Sequence, residues 1–453
     1  AGLSYLDTDG INISRSGDEK DGADNTTGNI TLEFDAGDAF AFRFSGQAVD
    51  ASNQYDDIDY FVTGLPVDAD RLTENRQNFL TGQMTYTPMQ SAWSGSFSLN
   101  RMDSDNDNFS DGTWTSATAA ETLEYRLRGG VVIGSENNHR VNFALEHEQV
   151  DFSQRGQATL YGDPNQDQSY DANGYALEYV GKPLNGFTWT LSGRFDDYSD
   201  FDDATTWQAA ASYELSPTLR VRGSAGRGSK TPTFTERYGY FEDLFIGNPD
   251  LKPESSQGWE IGLEARWGDG QHQLQLAWFA QDLQDEIDGF VFDPESSLFT
   301  AINKETDSHR KGLETTLFTR LNQSFGLSAS YTYTDATGTD SLGQPTREVR
   351  RPRHMASLAA NYYFKDDRGN LNLNLNYTGS QKDVFYSPVS YSSELVDISA
   401  YTVVDLAASW KLTTSLELTG RISNLLDEEY EEVLGFVRPG RAVYGGLRGR
   451  FDF

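Results

Sequence analysis

The sequence has no cysteine among its 453 residues. That absence suits an envelope protein that does without disulfides, and equally a cytosolic one. Long apolar runs are missing too: no segment reaches the roughly 18 residues of a membrane-crossing helix, which excludes a helical membrane protein. Positive charge is scarce, with 36 Lys and Arg against 69 Asp and Glu and a net charge of −33. A nucleic-acid partner, which needs a basic footprint, is therefore excluded. Ala1 does not open a signal peptide, so a processed or cut chain is expected. Against these absences stand 23 Tyr, 27 Phe and 8 Trp. A solvated, disordered chain would not carry so many rings, so something apolar must receive them.

Alternation with period two runs along most of the chain and is cleanest in Leu371-Asn372-Leu373-Asn374-Leu375-Asn376-Tyr377, with one apolar and one amide face. Connection lengths separate a membrane barrel from a soluble sandwich, because barrel turns are tight at one end and loops grow long at the other. Tight turns are expected around Gly37, Pro88, Glu136, Leu184, Pro217, Asp269, Gln323, Asp367 and Thr414. Between them fall longer loops, among them 51–76, 102–118, 228–254, 285–307, 336–353, 381–399 and 425–439. The reading is an all-β, antiparallel transmembrane barrel of about 20 strands, with short periplasmic turns and long extracellular loops. Tyr86, Trp93, Tyr213, Trp267, Tyr362 and Trp410 sit at strand ends, as a headgroup girdle requires. Val443, Leu447, Phe451 and Phe453 share one face of a last strand that ends on an aromatic.

Three stretches carry a family resemblance. Ser229-Lys230-Thr231-Pro232-Thr233-Phe234 leads through Tyr238-Gly239 to Gly247-Asn248-Pro249-Asp250-Leu251-Lys252-Pro253-Glu254. Near the end, Ile422-Ser423-Asn424-Leu425-Leu426-Asp427-Glu428-Glu429-Tyr430-Glu431 precedes Pro439-Gly440-Arg441. Their order and spacing resemble the TonB-dependent outer-membrane receptors, most closely the cobalamin (vitamin B12) transporter branch, across essentially the whole chain. The resemblance implies a monomeric receptor in the Gram-negative outer membrane, importing a scarce small ligand with energy from the TonB complex and without catalysis. The family barrel has about 22 strands around a plug. Gly2-Leu3-Ser4-Tyr5 resembles its third strand, so residues 1–453 are expected to be a partial barrel domain, truncated at the N-terminus, with the plug and first hairpin missing.

The same branch binds calcium in outer loops. Asp21, Asp24, Tyr55, Asp56 and Asp70 resemble that ligand set, with Asn12 where the branch has its first acidic ligand. A second calcium candidate is Asp103, Asp105, Asp107 and Asp111, whose Asp-x-Asp-x-Asp spacing lets carboxylates wrap a hard cation from one loop. Neither is a catalytic cofactor. Tyr238, Tyr240, Phe241, Phe245, Phe385 and Tyr386 are aromatic loop residues suited to a corrin ring or a ferric chelate. Arg347, Arg350, Arg351 and Arg353 form a basic run suited to phosphates of lipopolysaccharide, or to acids inside the barrel.

A ferric siderophore receptor is the main alternative. A passive porin would have about 16 to 18 strands. Haem uptake is disfavoured because no histidine lies between Ser229 and Glu254. An outer-membrane hydrolase would need a nucleophile and base converging, and His139, His147, His272, His309 and His354 are spread over different parts of the strand map.

Overall fold

A computed structural model describes residues 1–450 apart from 90, 135–137, 161, 243, 341–342 and 367. The expected turn centres at Glu136 and Asp367, and the terminal Phe451 and Phe453, lie outside the described residues.

Among the described residues twenty long strands make the wall: β1 Gly2–Ile11, β2 Asp21–Ala36, β3 Phe40–Ile58, β4 Pro66–Tyr86, β5 Trp93–Ser110, β6 Thr113–Ile133, β7 His139–Gly156, β8 Gln166–Leu184, β9 Phe187–Tyr198 and β10 Ala204–Ser216. They continue as β11 Leu219–Lys230, β12 Glu254–Trp267, β13 His272–Gln284, β14 Ser308–Arg320, β15 Phe325–Thr339, β16 His354–Phe364, β17 Gly369–Thr378, β18 Tyr401–Lys411, β19 Leu416–Ser423 and β20 Ala442–Gly449. Each pairs antiparallel with its chain neighbours, and among the described residues no ladder joins β1 to β20.

Register sorts the two faces by polarity. Leu371, Leu373 and Leu375 oppose Tyr362, Ala360 and Leu358 on one side and Ala408, Leu406 and Val404 on the other. Their alternates Asn370, Asn372 and Asn374 oppose Tyr363, Asn361 and Ala359, and Ser409, Ala407 and Asp405. A slip of one residue would invert both faces, so this pairing fixes an apolar belt for lipid and a polar lumen. The girdle is also built. Tyr86 meets Phe40 at 4.8 Å and Trp93 at 4.9 Å, and Phe364 bridges Tyr362 at 5.8 Å and Trp410 at 5.7 Å.

Strand length is where the sequence reading needs correction. Strands β4 and β6 run for 21 residues, about twice what a tilted crossing needs. The excess carries the wall past the lipid belt, so the loop expected at 51–76 shrinks to 59–65, and that at 102–118 to the two-residue turn Asp111-Gly112. The polar, acidic stretches in question alternate like the membrane strands because the ladder simply continues through them.

Candidate functional site

Candidate side chains gather at the loop end, in an acidic pocket, a folded central loop and a clasp between distant loops.

The pocket forms where β3 and β4 fall out of step. Tyr55 pairs with Arg71 and Asp57 with Val67, so the single residue Asp56 faces the three residues Asp68, Ala69 and Asp70. Such a bulge re-aims side chains. Asp56 is buried and accepts from the Ala69 amide at 3.2 Å through Oδ1, leaving Oδ2 buried with no hydrogen-bond partner among the described residues. Asp21, at the start of β2, accepts from the Ile13 amide at 3.3 Å through one oxygen, and its other oxygen is likewise buried and unpartnered. Burial first, then the neighbouring Asp21, Asp68 and Glu19, push the Asp56 carboxyl up to about 6. Asp21 and Glu19 are raised by burial and by nearby carboxylates as well.

Asp68 behaves oppositely. It accepts from the amides of Glu19 (3.0 Å) and Asp18 (2.8 Å), from Ser14 Oγ (2.9 Å) and from Asn12 Nδ2 (3.1 Å), and these donors hold it below its ordinary value. It thereby shapes loop 12–20, where Gly17 at φ +106 leaves room for the carboxylate that any Cβ would strike.

Of the expected metal ligands, the structure brings Asp21 and Asp56 together, and Asp70 is near enough to raise Glu19. Asp24 is an odd number of residues from Asp21, so it faces the other side of β2, where it accepts from Ser52. Tyr55 is exposed. Sequence reasoning missed Asp68 and Glu19, although the Asp68-Ala69-Asp70 pair of acids was visible in the same stretch.

The second metal candidate does not assemble. Asp103, Asp105 and Asp107 lie on strand β5, where alternate residues are roughly 7 Å apart and point along parallel directions, so they cannot wrap one ion. Arg101 pairs with Asp103 at 2.9 Å, Trp114 Nε1 donates to Asp107 at 3.0 Å, and Asp111 sits in the turn at φ +50. Among the described residues no three acidic or histidine side chains stand close enough to enclose a metal ion outright.

The central loop folds on itself. Helix α1, Phe234–Tyr238, is capped by Thr233 and Glu236 in a reciprocal capping box. Arg237 is buried against Asp200 and the Pro249 carbonyl, and Tyr238 donates to the same Asp200 at 2.5 Å. Asn248 Nδ2 donates to the Ala301 carbonyl at 2.9 Å, closing a small core of Phe245, Leu251 and Ala301. Phe245 is thus a core residue and not a ligand contact, a correction its hydrophobicity explains; Tyr238 is likewise engaged inside the loop. Phe241 remains exposed, and Tyr240 offers its carbonyl to Gln154 Nε2 at 2.8 Å. An aromatic ladder that sequence reasoning did not single out supports α1: Phe234 stacks on Phe152 at 4.9 Å and on Tyr170 at 5.5 Å.

Phe385 and Tyr386 sit elsewhere, on the hairpin Gln381–Ser387 and Ser392–Ile398, apart from Tyr240 and Phe241 on the central loop. Three of the four arginines turn to acids: Arg350 to Asp383 at 2.9 Å, Arg353 to Asp335 at 3.0 Å and Arg351 to Glu348 at 3.8 Å. This runs against a lipopolysaccharide role for them. The histidines stay apart. His309 pairs with Asp282 at 2.6 Å, an unexpected contact, but both are exposed, and His139, His147, His272 and His354 bond to Tyr179, Asn173, Thr319 and Tyr331.

A family model described as TonB dependent receptor-like, beta-barrel matches residues 2–425. The chain is 32% identical over 250 residues to the vitamin B12 transporter BtuB of Photobacterium profundum, covering 53% of this chain and 37% of that protein. Its fold is similar to FpvA of P. aeruginosa in an iron complex with a heterologous pyoverdine, at TM-score 0.79 and 15% identity, covering 99% of this chain and 66% of that one. It is equally similar to the siderophore receptor PirA of Acinetobacter baumannii, at TM-score 0.79 and 16% identity, covering 99% and 75%. These two likenesses speak to fold alone. The matched stretch is thus little more than a third of the curated relative's length.

Proposed function

The chain belongs to the TonB-dependent receptor β-barrel family of the outer membrane, and from that premise we propose that it is the barrel of an importer whose cargo is cobalamin. The observation carrying the cargo is the 32% identity to a protein named as a vitamin B12 transporter. The exposed ring of Phe241 and the apolar loop tips around Tyr386 supply surface for a large ring system, and the chain contributes binding rather than bond chemistry. Transport would draw its energy from the TonB complex through a plug domain seated against the polar lumen.

Calcium is part of the proposal. Asp21 and Asp56, each with a buried unpartnered oxygen, would hold it, with Glu19, Asp68 and Asp70 close by. A divalent cation there would neutralise carboxylates that burial and mutual repulsion now disfavour, and fix loop 12–20 to the ends of β3 and β4.

The test is titration calorimetry of the intact receptor with cyanocobalamin beside a panel of ferric chelates. Saturable binding of cyanocobalamin, with none of the chelates, is expected. Chelate binding with no cyanocobalamin response overturns the cargo and leaves the siderophore alternative.

A further inference from the structure

Loop 59–65 and the hairpin Gln381–Ser387/Ser392–Ile398 are far apart in sequence yet meet face to face. Tyr60 contacts Tyr386 edge-on at 5.8 Å. Gly64, at φ +68, lies so close to the hairpin that a Cβ would collide with the Tyr386 carbonyl oxygen and come within 2.8 Å of the Phe385 ring. Above this seam the loop tips carry large apolar groups into solvent: Phe61 is 82% exposed, Val62 77%, Val389 88% and Tyr391 66%. Because the two loops are in contact, these apolar groups are carried on neighbouring tips, the kind of exposed apolar surface that interaction sites use.

Beneath the seam is Asp383, wholly buried. A carboxylate in such a place is tolerated only when its oxygens are paired, and here each is. Oδ1 accepts from Arg350 Nε at 2.9 Å and from the Val384 amide at 2.8 Å, and Oδ2 accepts from the Leu434 amide at 2.8 Å. The Arg350 amide donates to the Lys382 carbonyl at 2.7 Å, and Gln381 Nε2 to the Glu432 carbonyl at 2.9 Å. The last loop, 425–439, in turn leans on loop 59–65, since a Cβ on Gly435 would stand 3.3 Å from the Leu65 side chain and 2.5 Å from Pro66 beside it. One carboxylate therefore joins the hairpin, the Arg350 segment and the last loop, and through the last loop it braces loop 59–65.

We infer that Asp383 is a positioning residue that couples two distant loops and so holds an aromatic platform, Tyr60 and Phe61 with Phe385 and Tyr386, against the corrin ring of cobalamin. The cargo clause rests on the cobalamin reading above; the coupling of the loops does not.

The experiment combines hydrogen exchange and equilibrium binding on the intact receptor, with cyanocobalamin and ferripyoverdine as probes. Asp383→Ala and Gly64→Ala should each raise exchange about tenfold or more in 59–65 and 381–398 together, and Asp383→Asn, which keeps one carbonyl acceptor, should do so less. Phe61→Ala should leave exchange unchanged and weaken cyanocobalamin binding by about tenfold. Exchange that rises in one loop only, or in neither, overturns Asp383 as the positioning residue. Unaltered affinity in Phe61→Ala overturns the platform. A native receptor that binds no cyanocobalamin overturns the cobalamin reading and the platform with it, while the exchange result still decides the coupling.

Discussion

Titrating the acidic pocket should loosen it as pH rises. The Asp56 carboxyl is displaced from 3.8 to about 6, which is worth at most about 3 kcal/mol, and water at the rim screens this to about 1–2 kcal/mol. The folded carboxyl holds its proton more tightly than the unfolded one. Its contribution is therefore most favourable below about pH 4, falls as pH climbs towards about 6, and is gone at neutral pH. Between pH 5 and 7.5 in chelator, protection of 12–20 and 56–70 in hydrogen exchange, corrected for intrinsic rates, should drop about three- to tenfold. Millimolar calcium at pH 7.5 should restore it, and calorimetry should register the uptake. Asp56→Asn should flatten the pH response and abolish the calcium effect, whereas Asp105→Asn, on the continuous strand β5, should alter neither. A native pocket whose protection is flat with pH, or an Asp56→Asn variant that still responds to calcium, refutes the reasoning.

Two further outcomes test the fold around the site. Leu373→Arg places a charge in the lipid belt and should cost about 2–4 kcal/mol in barrel stability, read from refolding into bilayers, while Asn374→Arg on the lumen face should cost little. Arg237→Ala removes the guanidinium from Asp200, which keeps only Tyr238, and from the Pro249 carbonyl, and should loosen the central loop by about 2–4 kcal/mol, seen as protease cleavage within 231–253 with the wall strands still protected.

The sequence by itself determined the barrel. Two-residue periodicity, the difference between tight turns and long loops, and rings at strand ends each follow from local chemistry meeting lipid, and that chemistry is written residue by residue at Leu371 to Tyr377. The motifs at Ser229 to Glu254 and at Ile422 to Arg441 likewise announced the family. What local pattern could not reveal was where a strand stops being a membrane strand. Asp103, Asp105 and Asp107 alternate as a loop of ligands would, and equally as a wall does, and only the ladder to β4 and β6 decides between them. Tertiary structure also decided which acids meet. The bulge that sets Asp56 opposite Asp68 to Asp70 depends on the register of two strands, and Asp383 became the centre of a clasp only because loops distant in sequence return to one rim. Phe245 shows the same limit from the other side, since an aromatic in a loop reads as a contact for cargo until the loop is seen to fold around it.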